Sequence, residues 1–98
     1  MTINKSQNKN ELLLTLEGRL DTSTAPELEA ALKNSLADIT DLKLDVEKLE
    51  YISSAGLRVL LSAQKTMNKQ GTMTILHPSD AVMEVFDVTG FSDIFTIE

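Results

Sequence analysis

Cysteine and tryptophan are absent from the 98 residues, and there is a single histidine. Without cysteine there are no disulfides, no thiolate nucleophile and no cysteine-based zinc site. Only two prolines and four glycines occur, so the chain lacks the composition of a disordered or low-complexity segment. Basic residues are outnumbered, 9 Lys+Arg against 15 Asp+Glu, for a formal charge of −6. A nucleic-acid binder needs a basic face for phosphate, so the charge argues against that class. No apolar run approaches the ~20 residues of a membrane span, and Met1 to Asn8 has no apolar signal core. The expectation is one cytoplasmic domain over 1–98, with roughly 65% of its unfolded surface buried in a single core.

What remains is an alternation of strand and helix patterns. Thr2–Gln7 and Glu11–Leu16 read as a first hairpin across the polar turn Asn8-Lys9-Asn10. Gly18-Arg19-Leu20-Asp21 leads off the second strand. Thr24-Ala25-Pro26-Glu27 has the form of a capping box with proline in the first turn, and Leu28, Leu32 and Leu36 follow at spacing four. Leu42 to Val46 alternates as a strand. Leu57, Leu60, Leu61 and Met67 mark a second helix, with Val59 and Ala63 flanking and Gln70-Gly71 expected as a left-handed stop. Thr72–Leu76 is another strand. Ser79 caps a third helix with Val82, Val85 and Phe86 inward, ended by Thr89-Gly90. A short turn over Phe91–Phe95 and an edge strand at Thr96-Ile97 close the chain. The order β-β-α-β-α-β-α-(α)-β predicts an α/β fold with a mixed sheet of four to five strands and three to four helices.

Little in this pattern is catalytic. His77, before Pro78 at a strand end, has no metal or triad context and reads as a loop residue. Glu47, Glu50 and Glu84 fall on solvated positions, and no phosphate-binding glycine loop or HExxH is present. Phe86, Phe91 and Phe95 read as core rather than a ligand box, and Met67, Met73 and Met83 as gap-fillers. The unabsorbed feature is Ser53-Ser54, where strand gives way to helix. A serine there either caps the helix or carries a phosphate at its positive end, and the residues alone leave both open.

Two segments resemble those of the STAS domain family, in particular bacterial anti-sigma-factor antagonists. Gly18-Arg19-Leu20-Asp21-Thr22-Ser23-Thr24-Ala25 is similar to the family's G-x-L/I-D segment before the first helix. Tyr51-Ile52-Ser53-Ser54-Ala55-Gly56-Leu57 is similar to its D-S-x-G-L segment, and Val85 to Phe91 to its third-helix ending. The resemblance spans essentially the whole chain. It implies no catalysis and no cofactor or metal. The implied partners are an anti-sigma factor that is also a serine kinase, and a phosphatase that reverses it. Neither nucleic acid nor membrane is implied, and the free protein is expected as a monomer. The family's phosphorylated serine corresponds to Ser54, with Ser53 the alternative acceptor. The partner surface would comprise Asp21, Thr22, Ser23, Thr24, Ser53, Ser54, Gly56 and Arg58. Ser53 stands where the family has an acidic residue, which removes a like charge beside a phosphate. Two other roles fit the same fold: a STAS subunit of a lipid-transport or signalling assembly, and a small-ligand or nucleotide-binding domain.

Overall fold

The first two strands are joined by a tight turn. Lys9 takes φ 56°, as a two-residue hairpin requires at its first central position, and Asn8 faces Glu11 across it. The computed structural model describes residues 1–98. Its elements are β1 (Thr2–Asn8), β2 (Glu11–Leu20), α1 (Ala25–Ser35), β3 (Asp41–Ile52), α2 (Ser54–Gln70), β4 (Thr72–Leu76), α3 (Asp80–Thr89), a 3-10 turn (Phe91–Asp93) and β5 (Thr96–Ile97). The five strands lie in sequence order, with β1 antiparallel to β2 and the remaining pairs parallel. Fold class and element order agree with the sequence reading.

This order explains why one face of the sheet is bare. Each parallel crossover steps in the same direction, and right-handed crossovers that do so place all their helices on one side. Accordingly Leu12, Leu14, Leu16 and Leu20 of β2 and Leu42, Leu44 and Val46 of β3 are buried, while Leu13, Thr15, Lys43 and Asp45 between them are not. Buried apolar side chains form one cluster of 24, which includes the expected Leu14, Leu32, Leu44, Val46, Leu60, Ile75 and Phe86. Phe95 stands edge-on to both Phe86 and Phe91, at 5.5 and 5.6 Å between ring centres. The aromatics therefore tie α3 and the 3-10 turn together as core.

Four local expectations are corrected. β2 runs on to Leu20 and β3 to Ile52, beyond the Leu16 and Val46 at which their clean alternation stops. The register between them shifts between Thr15 and Glu17 and again between Gly18 and Arg19, so β3 carries extra residues and its buried positions change spacing from two to three at Leu49 and Ile52. The capping box on Thr24 does not close: Glu27 N bonds to the Thr24 carbonyl, and Asp21 accepts the Thr24 N–H that the Glu27 side chain would have reached. Gly71 is not left-handed: its φ is 172°. A side chain is excluded there because a Cβ would collide with the main chain of Thr40.

Beside that contact, Gln70 Nε2 donates to the carbonyls of Leu36 and Ile39, both at 2.7 Å, and so satisfies the end of α1. Gln70→Ala is expected to lower stability by about 1–2 kcal/mol, read as a shifted urea midpoint at unchanged slope. An unshifted midpoint would show that water replaces the amide without loss.

Candidate functional site

β4 ends level with Asp45, whereas β2 and β3 continue together to the pair Leu20–Ile52. Two strands thus project past the rest of the sheet at their carboxyl ends, the edge where α/β proteins collect ligands. The segments that leave them, 21–24 and 53–56, emerge side by side, and Ser53 N donates to Leu20 O at 2.9 Å. The sequence-predicted residues Asp21, Thr22, Ser23, Thr24, Ser53 and Ser54 are therefore brought to one edge.

The two serines divide the alternatives between them. Ser53 is the N-cap, with extended backbone (φ −97°, ψ 174°), and its hydroxyl accepts from Gly56 N at 3.3 Å. Ser54 is the first helical residue, is exposed, and makes no side-chain hydrogen bond within the chain. The cap requirement is met one residue early, so the Ser54 hydroxyl is left free.

Segment 21–24 is organised by its own side chains. Asp21 Oδ1 accepts from Ser23 N (3.0 Å), Thr24 N (3.2 Å) and Ser23 Oγ (2.8 Å). Thr24 Oγ1 accepts from Asp21 N and donates to Arg19 O, each at 2.8 Å. The Ser23 hydroxyl, foremost, holds the Asp21 carboxyl below its ordinary 3.8, against an opposing contribution from desolvation; the Thr24 and Ser23 N–H groups and the Thr24 hydroxyl reinforce the lowering. A carboxylate lowered in the folded state stabilises fully above its ordinary value and loses that contribution as pH falls through the lowered one. In thermal melts below pH 5, Asp21→Asn should therefore give a shallower acid decline than wild type. Superimposable declines would mean that the Asp21 charge does not support the loop.

Arg19 and Tyr51 face each other across β2 and β3, with the guanidinium 4.3 Å from the ring centre and Nε 3.8 Å from Asp21 Oδ2. Sequence reasoning did not pair them, since only the shifted register makes them neighbours. Thr22, Ala25, Pro26, Glu29, Ala55 and Arg58 line a shallow recess of about 230 Å³ that joins the loop to α2.

Gly56 differs from expectation. It is buried, and a Cβ there would stand 2.6 Å from Leu20 Cγ and 3.0 Å from Ile52 Cγ1. It lets the first turn of α2 settle on the strand ends and is not part of an exposed docking surface. His77 is exposed at the end of β4, with its N–H on Glu98 O, and so lies back from the serines. No three His, Asp or Glu side chains gather as a metal site, and no helix is long and apolar enough to cross a membrane.

Comparison with known proteins agrees with the fold. The anti-sigma-B factor antagonist of Bacillus subtilis is 29% identical over 98 residues, covering 99% of this chain and 90% of that protein. The anti-sigma-B factor antagonist of Staphylococcus aureus is 33% identical over 82 residues, covering 82% of this chain and 76% of its own length. Among solved structures, the Bacillus cell fate determinant SpoIIAA in its phosphorylated form superposes with a TM-score of 0.77 at 18% identity, over 99% of this chain and 91% of that one, which establishes likeness of fold. The STAS domain model matches residues 2–98, and the chain belongs to the STAS domain family.

Proposed function

We propose that this chain is an anti-sigma-factor antagonist. It binds an anti-sigma factor that is also a serine kinase, through segment 21–24 and the exposed first turn of α2, and thereby releases the sigma factor. Phosphorylation of Ser54 ends that binding, and a phosphatase restores it. The chain acts by binding and catalyses nothing itself. The observation that carries this reading is the free Ser54 hydroxyl on the projecting edge, with Ser53 occupied as the cap. Two relatives of the chain bear the name anti-sigma-B factor antagonist, and SpoIIAA, of the same fold, has a phosphorylated form. A phosphate at Ser54 is compatible with the folded domain, because it meets the positive end of α2. Within a close-packed interface the same charge would have to lose its water.

Intact-mass measurement of the protein from its own cells, with affinity capture of its partner, tests this. The expected result is an anti-sigma kinase bound to the unphosphorylated form alone, and a second form heavier by one phosphate located at Ser54. Capture of a transport or signalling assembly instead, with no phosphate in any growth state, would overturn the reading in favour of a STAS subunit. A nucleotide bound stoichiometrically by the isolated domain would overturn it in favour of a ligand-binding domain.

A further inference from the structure

Arg58 stands one turn after Ser54 on α2, and both are exposed. Residues four apart on a helix are surface neighbours, with Cβ atoms about 5–6 Å apart. Arg58 takes part in none of the chain's ion pairs, which join Arg19 to Asp21, Lys33 to Glu29 and Lys43 to Asp41. Glu29 lines the same recess as Arg58 yet is paired with Lys33 instead. Arg19, the other arginine at this edge, is already committed to the Tyr51 ring and to Asp21. The first turn of α2 also lacks an acidic residue, whereas α1 and α3 open with Glu27 and Asp80. An unpaired guanidinium is thus left beside the free hydroxyl in a chain of net charge −6.

We propose that Arg58 is the internal charge partner of phosphorylated Ser54, closing over the phosphate as a fork that donates two N–H bonds to its oxygens. The inference rests on Ser54 being the modified residue. A guanidinium presents paired donors in a plane that matches two phosphate oxygens, and the pair is charge-assisted. The modification then makes two changes at once: it adds the phosphate, and it withdraws Arg58 from any carboxylate of the partner that the unmodified protein would engage.

The test uses full-length protein with phosphoserine installed at position 54 during translation, titrated by phosphorus NMR. An ordinary phosphoserine loses its second proton near pH 6. In the wild-type chain Arg58 stabilises the dianion, so the midpoint should lie about half a unit or more below that of Arg58→Ala, with Arg58→Lys between them. Equal midpoints for wild type and Arg58→Ala would overturn the proposal. In the wild type alone, the Arg58 Nε–H resonance should move downfield and exchange more slowly once Ser54 carries phosphate, and an unmoved resonance would equally overturn it. Because the phosphate is installed without a kinase, this outcome is independent of whether cells phosphorylate Ser54, which the intact-mass measurement decides.

Discussion

Ser54→Asp is expected to fold as the wild type does and to lose about a hundredfold or more in affinity for the anti-sigma partner. Ser54 is the first residue of α2 and its exposed side chain makes no hydrogen bond within the chain, so the carboxylate displaces none. On the free domain it meets the helix dipole favourably, at about 0.3–1 kcal/mol. In the complex the sign reverses, since burying the charge together with Arg58 costs a desolvation that their pairing need not repay, a matter of several kcal/mol. A net loss of about 2.7 kcal/mol is a hundredfold in affinity. Ser54→Ala should bind like the wild type and stay bound in the presence of ATP, because it offers no hydroxyl to the proposed kinase. Ser53→Asp provides the discriminating control. It perturbs the residue whose hydroxyl caps α2, though aspartate is itself a competent cap, so folding is retained. Calorimetric titration of the three variants separates the possibilities. Wild-type affinity in Ser54→Asp with lost affinity in Ser53→Asp would make Ser53 the switch, and unchanged affinity in both would remove the switch altogether.

That experiment depends on a distinction that the family resemblance drew and the residue pattern alone did not. Adjacent serines at a strand-to-helix junction are equivalent by pattern, and one residue of uncertainty in the helix start exchanges their roles. The structure separates them through ψ of Ser53 and the bond from Gly56 N. The rest of the fold was legible where one physical rule acted alone. Alternation at Leu42, Leu44 and Val46, spacing four at Leu28 and Leu32, and the Ser79 cap each specify local structure without outside help. Reading failed where two rules competed. Thr24 has every mark of a capping box, but Asp21 O takes Ala25 N, Pro26 has no N–H, Glu27 N goes to the Thr24 carbonyl, and the Thr24 hydroxyl turns to Arg19 O. Gly71 resembles a left-handed stop, but its reason is the close approach of Thr40. Gly56 sits in the segment that carries the family resemblance, and yet faces Leu20 and Ile52. The second half of β3 was the largest omission, and its signal was present: buried positions three apart at Val46, Leu49 and Ile52 mark a strand that bulges.

Leu60→Ala should lower stability by about 2–5 kcal/mol and yet leave partner binding nearly intact at temperatures where the variant is folded. Leu60 is fully buried on the inner face of α2, within the same cluster as Leu44, Val46 and Ile75. Truncation removes apolar contact and leaves a cavity that the neighbouring strands and helices can only partly fill. Against a total of about 5–15 kcal/mol for a domain, such a loss is large. The helix should nonetheless keep its place, because its start is fixed independently of Leu60: Ser53 N bonds to Leu20 O, Gly56 packs on Leu20 and Ile52, and Ser53 caps the first turn. Its far end is fixed by Gln70 on the carbonyls of Leu36 and Ile39. Core and binding edge thus share one helix but are held by different contacts, which predicts that stability and affinity separate. Urea melts read the first and calorimetric titration at low temperature the second. A stability loss below about 0.5 kcal/mol would mean that α2 turns another face to the sheet. A tenfold loss of affinity in the folded variant would mean that packing at Leu60 sets the position of Ser54.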